Sequence, residues 1–275
     1  MGSHVEFAIA QGRGGRENQE DFCAVWADGK TVDAEKDNFY SGRVKGDLIA
    51  VLCDGMGGHN AGEVASKLAT VTFLDVLKGS RSAQKQTQDQ AATQASASLI
   101  DACQAANAAI AGKIDADGSL DGMGTTLVGI RLAQSKLSWV SVGDSALYLY
   151  RRDTITQLNA DHSMRPVIAQ MVATKIISAE EAARHPDRNA LRSALCGDRL
   201  SLIDGDGLPM NLQKGDIVLV ASDGIETLPA ATLRAFLKPR LFWSVASAAR
   251  RIVTACLKAG GKGQDNTTVI LLKIR

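Results

Sequence analysis

Three aspartates stand where an apolar stretch of the sequence meets a glycine or an asparagine. Asp54 ends the apolar stretch 48–53, Asp223 follows the stretch 217–221, and Asp265 precedes the final apolar stretch 267–274. An aspartate at a strand end is often only a turn former, but a carboxylate at the edge of a core needs a partner. Carboxylate oxygens suit Mg²⁺ or Mn²⁺ better than zinc. The three positions together predict one shared cation site.

More acids occupy similar places, namely Glu20 and Asp21 before an apolar stretch and Asp144 in a Val-Gly-Asp-Ser segment. Carboxylates that converge without a cation repel one another. Two divalent ions about 3.5–4 Å apart remove that repulsion, activate a shared water and hold an in-line displacement at phosphorus. The chemistry predicted by these residue types is therefore metal-assisted phosphoester hydrolysis.

The elements that must position these acids are mostly short strands. Apolar stretches predict strands at 5–11, 22–26, 48–53, 125–132, 137–142, 146–151, 154–158, 200–204, 216–221 and 267–274. Helical periodicity predicts helices at 62–78, 95–113 and 241–258, with a helical segment at 163–184. Segments 27–46 and 80–94 are predicted to be exposed connections. This order favours antiparallel sheets with helices outside them over an alternating doubly wound fold.

Two local patterns refine the helices. Ser178 with Glu181 three residues later predicts a capping box. The first helix is predicted to face the core with a stripe that recurs at helical spacing: Val64, Leu68, Val71 and Leu74.

Size and composition set broad limits on the function. The chain has 275 residues and a formal net charge of +1, which gives no electrostatic indication of nucleic acid or a membrane surface as a partner. Five cysteines without a paired-ligand spacing predict reduced thiols and a cytoplasmic location. Residues 1–4 are set aside as an appended segment, and 5–275 are expected to form one monomeric domain.

Six motifs then occur in a recognisable order: RENQED at 16–21, DGMGGHNAGE at 54–63, GMGTTL at 122–127, VGDS at 142–145, SDG at 222–224 and DNTT at 265–268. Together they resemble the metal-dependent protein phosphatases, the type 2C serine/threonine family, in its bacterial form. The resemblance runs from about residue 7 to 273. It implies an α+β fold, in which two antiparallel β-sheets form a central sandwich with α-helices on both outer faces, a four-layer α-β-β-α arrangement.

The resemblance also implies roles for individual residues. Asp54 resembles the carboxylate that bridges two metal ions, and Gly55 the residue whose backbone carbonyl binds one of them. Asp223 and Asp265 resemble the ligands of the other ion. Asp144 resembles the ligand of a third, weaker ion in bacterial members. The expected cofactors are therefore two Mg²⁺ or Mn²⁺ ions, with a third possible.

The loop before Asp21 is expected to contact the substrate and the waters. Arg16 matches the phosphate-binding arginine of the family, and a guanidinium can bind two phosphate oxygens at once. Arg13 is a competitor three residues away, although the spacing to Asp21 favours Arg16. Glu20 and Asp21 resemble acids that order metal-bound waters, which places Asp21 with the metal set and Glu20 with the reaction.

The chain departs from the family pattern in two places. Met56 stands where better-studied members carry a histidine, so the general acid for the departing oxygen is open among His59, His162 and a metal-bound water. Ala146 stands where the family usually shows an arginine. Segment 163–189 resembles the family's flap beside the site, and such loops commonly help to select substrates.

The activity implied is hydrolysis of phosphoserine and phosphothreonine in proteins by a metal-bridged water that attacks phosphorus in line. The implied partners are phosphoprotein substrates of a serine/threonine kinase, acting in signal transduction. Two alternatives stay open at the level of sequence. One is a catalytically silent binding module with this fold, although the metal-site acids are all present. The other is a phosphoesterase of small phosphomonoesters.

Overall fold

A computed structural model describes residues 4–57, 61–83, 91–205 and 207–275, together with their side chains except those of 80–83 and 91–98. The strands are β1 Val5–Gly12, β2 Asp21–Ala27, β3 Lys30–Asp33, β4 Phe39–Val44, β5 Leu48–Met56, β6 Gly124–Thr125, β7 Leu127–Ala133, β8 Lys136–Val142, β9 Ala146–Arg151, β10 Thr154–Gln157, β11 Met210–Asn211, β12 Ile217–Ala221 and β13 Thr267–Ile274. The α-helices are α1 Ala61–Ala83, α2 Ala91–Ala116, α3 Arg165–Ala173, α4 Ala179–Ala183, α5 Ala230–Leu237 and α6 Val245–Gly260.

The strands form two antiparallel sheets, as predicted. The first sheet has the order β10-β9-β12-β13-β1-β4, and the second has the order β11-β8-β7-β5-β2-β3, with β6 paired to β5. Helices α1 and α2 cover the second sheet, and α5 and α6 cover the first. The predicted α+β class and the four-layer arrangement are confirmed. No helix in the described ranges is both long and apolar enough to cross a lipid bilayer.

Strand β5 shows why the central strands read as continuous apolar stretches. Successive side chains of a strand point to opposite faces, and both faces of β5 are covered. Leu48 and Leu52 belong to the core between the two sheets, whereas Ile49 and Val51 pack against the helices. All four are at most 1% exposed. Because β5 is fixed on both faces, its register is strongly specified, and the acid at its end is fixed with it.

The core-facing side of α1 differs from the predicted stripe. Of the predicted stripe, Leu74 is buried and Val64 and Leu68 pack partly buried against the core, but Val71 is 47% exposed. Ala65, Ala69 and Phe73, which were not predicted, are fully buried. The small alanines let the helix approach the sheet closely, and the ring of Phe73 fills the space above Gly129. A Cβ atom at Gly129 would lie 2.2 Å from Phe73 Cζ. The sizes of the side chains, which the periodic pattern does not take into account, therefore determine which face of α1 packs against the sheet.

Three predicted connections or strands were also wrong. Segment 27–46 was predicted to be a connection but contains β3 and β4, which lie in different sheets. In addition, helix α5 was not predicted. Segment 200–204 holds only a single bridge from Asp204 to Ser141. Of the predicted connection 80–94, residues 80–83 and 91–94 are helical, while 84–90 lie outside the described residues.

Segment 163–189, which we call the flap segment, contains α3 and α4. The capping box of Ser178 and Glu181 at the start of α4 is confirmed. The two ends of the flap segment lie close together, because Ser163 forms a β-bridge with Leu191 and Met164 N donates to Ala190 O at 2.9 Å. The segment therefore begins and ends at the same edge of the molecule.

Candidate functional site

The three strand-end aspartates are brought together at one edge of the sandwich. Strand β5 of the second sheet continues to Met56, beyond its predicted end at residue 53, because Gly55 and Met56 pair with β6, so Asp54 lies inside the strand near its end. Asp223 follows β12 and Asp265 precedes β13 in the first sheet. Strands β12 and β13 are neighbours, and a Cβ atom at Gly224 would lie 2.1 Å from Asn266 O. Only glycine lets these two backbone segments come so close. The residue after Asp223 therefore packs directly against the residue after Asp265.

Asp21 joins the two sheets at this edge. It is the register partner of Asp54 in the β2–β5 pair. Its Oδ2 accepts a hydrogen bond from Ser222 Oγ at 2.8 Å, and Ser222 Oγ in turn accepts one from Thr268 N at 2.9 Å. Asp21 is 2% exposed, and its Oδ1 atom has no hydrogen-bond partner in the described structure. Buried carboxylate oxygens normally have a partner, so this oxygen, which lies among other acids, is suited to accept a cation or a water.

Gly55 occupies a position where no side chain fits. Its N–H donates to Glu20 O at 3.1 Å. A Cβ atom there would lie 2.1 Å from Gly62 O and 2.6 Å from Glu20 O. The start of α1 and the loop of Glu20 therefore both press against the residue that follows Asp54. The glycine in this motif is explained by close packing as well as by its predicted carbonyl role.

Hydroxyl groups fix Asp54 and the turn of Asp144, and the sequence reasoning did not single them out. Asp54 N donates to Thr126 Oγ1 at 3.0 Å, and Thr125 Oγ1 donates to Asp54 O at 2.8 Å. The Thr126 and Ser145 hydroxyls are hydrogen-bonded to each other at 2.8 Å. The Thr-Thr and Gly-Asp-Ser motifs are thus adjacent in space, and they clamp the backbone of the carboxylate at the centre of the site.

The acids of this edge perturb one another strongly. Burial, followed by the fields of Asp21 and Asp223, raises the pKa of Asp54 well above its ordinary range. Burial raises the pKa of Asp21 to about 7, against the opposing effect of the nearby Ser222 and Thr268 side chains. Burial, followed by the charges of Asp144 and Asp265, raises the pKa of Asp223 to about 6. Such carboxyl groups resist ionisation together unless positive charge is supplied.

The donor set fits Mg²⁺ or Mn²⁺. Every candidate ligand is an oxygen, as these hard ions require. Among the described residues, no group of three or more His, Cys, Asp or Glu side chains is placed to hold one metal ion together. That agrees with ions such as Mg²⁺, which keep several waters and use only one or two carboxylates each.

Arg16 faces the acids, whereas Arg13 does not. Arg16 Nη2 lies 2.5 Å from Asp265 Oδ2, and the arginine side chain is 56% exposed. Arg13 Nη1 instead donates to Glu17 O at 3.2 Å, within its own loop. The geometry supports Arg16 as the phosphate-binding candidate.

Asn266 anchors the loop that carries Arg16. Its Nδ2 donates to Arg13 O at 2.8 Å and to Asn18 O at 3.0 Å. Its Oδ1 accepts from Glu20 N at 2.7 Å. Burial raises the pKa of Glu20, and the Arg16 charge opposes that rise. The asparagine after Asp265 thus holds Arg16 and Glu20 at the rim of the site.

Asp144 is reached by a residue that the sequence reasoning missed. Arg165 Nη2 lies 3.2 Å from Asp144 Oδ2, and the same guanidinium pairs with Asp161 at 3.1 Å and with Glu226. Glu226 follows Asp223 by three residues in a 3-10 helix, Asp223–Thr227, in which side chains three apart lie on the same face. Nothing in the sequence pattern indicated Arg165.

The structure gives His162 a supporting role. It is 5% exposed, and its Nδ1 accepts a hydrogen bond from Gly143 N at 3.3 Å. Burial lowers the pKa of His162 and so favours the neutral ring, whose Nδ1 accepts the hydrogen bond from the turn that carries Asp144. His59 lies outside the described residues. Ala146 is 6% exposed and pairs with Ala221 at the start of β9, so it is a packed strand residue.

Comparison with known proteins gives consistent results. A family model described as Protein phosphatase 2C matches residues 33–259. Serine/threonine phosphatase stp of Listeria innocua is 33% identical over 226 residues, which cover 82% of this chain and 84% of that protein. Serine/threonine protein phosphatase PstP of Mycobacterium tuberculosis is 33% identical over 241 residues, covering 87% of this chain but only 42% of its own length.

A solved structure extends the likeness to three dimensions. The catalytic domain of a PstP phosphatase, crystallised in complex with two manganese ions, superimposes with a TM-score of 0.71 at 29% sequence identity, and the match covers 99% of each chain. The similarity therefore includes the whole sandwich together with the flap segment.

Proposed function

Because this chain belongs to the protein phosphatase 2C family, we propose that the acidic edge of the sandwich is its active site. The chain is a metal-dependent protein serine/threonine phosphatase that uses Mg²⁺ or Mn²⁺. The observation that supports the proposed site best is the convergence of Asp21, Asp54, Asp223 and Asp265 from two sheets, next to the guanidinium of Arg16.

We assign the ions to the oxygens of this edge. Asp54 and the carbonyl of Gly55, supported by Asp21, would hold one of the two metal ions, and Asp223 and Asp265 would hold the other. Asp21 Oδ1, buried without a hydrogen-bond partner in the described residues, supports this assignment. When bound, the ions neutralise the carboxylates, activate water for attack on phosphorus and stabilise the charge of the transferred phosphoryl group.

The protein's own groups bind and orient the phosphate. Arg16 carries five N–H donors in a rigid fork and reaches Asp265 through only one of its terminal nitrogens in the described contacts. The fork therefore retains donors for two phosphate oxygens. Glu20, whose neutral form is favoured by burial, lies beside this fork and is placed to exchange a hydrogen bond with water at the rim. The phosphoester would bind at this rim, where Arg16 is exposed to solvent and a protein substrate can reach it.

We further propose that the substrates are phosphoproteins generated by a serine/threonine kinase and that the chain acts as a cytoplasmic monomer in signalling. The relatives named as serine/threonine phosphatases support the substrate class. The five cysteines are free thiols, four of them buried, which is typical of a reducing compartment.

Asp54→Asn tests this site directly. The change leaves the shape of the side chain but removes the central negative charge, so we expect turnover of a phosphothreonine peptide with Mn²⁺ to fall by at least about 100-fold, since a bound metal ion contributes several kcal/mol to the transition state. Asp37→Asn, on an exposed turn, is the matched control and should retain wild-type turnover. A correctly folded Asp54→Asn protein with normal turnover would show that the site is elsewhere.

The choice of substrate is tested with the same preparation. A phosphothreonine peptide and free phosphomonoesters, each assayed at low concentration with Mn²⁺, give a ratio of kcat/KM values. A ratio in favour of the peptide supports the assignment, and equal or inverted values would favour a phosphoesterase of small molecules.

A further inference from the structure

Arg165 is the cation nearest to Asp144 in the described structure, and its partners come from three separate parts of the chain. Its Nη2 lies 3.2 Å from Asp144 Oδ2, in the turn between β8 and β9. Its Nε lies 3.1 Å from Asp161 Oδ2, just before α3. Its Nη1 pairs with Glu226, in the 3-10 helix that begins at Asp223. One guanidinium therefore gathers three carboxylates beside the metal site.

The arrangement has the character of a built site. The side chain of Arg165 is only 17% exposed, and that of Asp144 only 8%. Arg165 Nε also contacts Ser163 Oγ at 3.0 Å. Charge-assisted hydrogen bonds of this kind are short and directional. An ion pair on a flexible surface is usually more exposed than this one and has fewer partners.

The same location is where the family resemblance places a third metal ion on Asp144. A divalent ion that bound Asp144 there would share the carboxylate with Nη2 of Arg165 and would be repelled by that nearby buried positive charge. The guanidinium is always charged and is attached to the chain, so it does not dissociate at low ion concentration. Asp144 therefore already has a cation, unlike Asp21 with its unpartnered oxygen. Asp265 also has an arginine partner, but the side chains of Arg16 and Asp265 are 56% and 36% exposed, so that pair opens to solvent more easily than the buried pair of Arg165 and Asp144.

We propose that Arg165 is a built-in replacement for the third metal ion, and that it also positions the flap segment. The inference rests on the two-ion site proposed above. Arg165 is the first residue of α3, so its contacts to Asp144 and Glu226 fasten the start of the flap segment to the metal-binding edge. The wild-type protein then binds two divalent ions, and the flap segment remains anchored without a third ion.

Metal stoichiometry provides the first test. The measurement is equilibrium dialysis against Mn²⁺ followed by elemental counting, with no activity involved. We expect two ions for the wild type and three for Arg165→Met, because Asp144, Asp161 and Glu226 then lack their cation. Arg165→Lys keeps a positive charge and should stay at two. Adding Asp144→Asn to Arg165→Met should return the count to two.

Each result of this measurement is decisive. Three ions in the wild type, or two in Arg165→Met, would overturn the replacement of the third ion. No bound ion in the wild type would instead contradict the two-ion site, so the two failures are distinguishable. Arg184→Met, at an exposed arginine in the same flap segment, is the matched control and should bind two ions.

Hydrogen exchange tests the anchoring. Loss of a charge-assisted hydrogen bond allows more frequent local opening, so amides of 165–173 in Arg165→Met should exchange at least about tenfold faster than in the wild type. The exchange is measured with chelator present, so that no ion bound by Asp144, Asp161 and Glu226 takes the place of the guanidinium. Wild-type exchange in Arg165→Met under these conditions would contradict a positioning role. Arg184→Met should exchange like the wild type.

Discussion

The carboxyl group of Asp21 offers a perturbation whose effect changes sign with the metal ions. Asp21 is buried, accepts one hydrogen bond from Ser222 and leaves Oδ1 without a partner in the described structure. Asp21→Asn keeps the acceptor for Ser222 and places an amide next to the neighbouring carboxylates. In the metal-free protein we expect this change to stabilise the fold at neutral pH, although it removes a group of the metal set.

The magnitude follows from the pKa of this group. Burial raises the pKa of Asp21 from 3.8 to about 7, and each pKa unit corresponds to about 1.36 kcal/mol. The raised pKa of Asp21 therefore costs the metal-free folded state about 4 kcal/mol at pH 7.5 and about 2 kcal/mol at pH 5. The asparagine has its own burial cost at both pH values, so the difference of about 2–3 kcal/mol between them is the clean measure.

The sign of the pH dependence can be stated separately. Unfolded Asp21 loses its proton above about pH 4, whereas folded Asp21 keeps it up to about pH 7. The folded state binds more protons across this window, so the stability of the metal-free wild type falls as the pH rises through it. Asp21→Asn removes this contribution and should show a flatter dependence.

The assay is urea unfolding in the presence of chelator at pH 5 and pH 7.5, with Asp37→Asn as the exposed control. We expect Asp21→Asn to be more stable than the wild type at pH 7.5, with a smaller advantage at pH 5. With saturating Mn²⁺ the order should reverse, because ion binding then stabilises the wild type more. An Asp21→Asn protein that is less stable at pH 7.5 without metal, or equally advantaged at both pH values, would refute the reasoning.

Three other predictions concern the phosphate, the ions and the core. Arg16→Ala should lower kcat/KM for a phosphothreonine peptide by about tenfold or more through a raised KM, since charge-assisted hydrogen bonds contribute about 1.5–3 kcal/mol; Arg13→Ala should have little effect, and equal effects would contradict the assignment to Arg16. Mn²⁺ at about 100 times its Kd should add about 2.7 kcal/mol for each site to the free energy of unfolding, seen as a raised midpoint in urea; an unchanged midpoint would contradict ion binding by the folded state. Phe73→Ala should cost about 3–5 kcal/mol because it empties the space against Gly129, whereas Val71→Ala, at a 47% exposed position, should cost far less; similar losses for the two variants would contradict the observed face of α1.

The buried central strands were predictable from local chemistry, although β5 ends three residues beyond its predicted position. The final strand, Thr267–Ile274, matches its predicted bounds, since its apolar residues are buried on both faces. The half-exposed strand β4 was missed because Tyr40, Ser41 and Arg43 lie on an exposed surface and interrupt any apolar pattern. Its pairing with β1 depends on contacts such as the ring stacking of Phe7 and Tyr40, and these join positions distant in the sequence.

The sequence by itself determined the chemistry of this protein. Acids that end apolar stretches, ordered motifs and hard oxygen ligands indicated two divalent ions and a phosphoester before any contact was known. Only the tertiary structure decided which groups balance those acids, because charge compensation depends on distance and burial across the sandwich. It places Ser222 in hydrogen-bond contact with Asp21, and it directs Arg16, not Arg13, toward the acids. It also brings Arg165 into contact with Asp144, although no periodic pattern in the sequence relates these two positions.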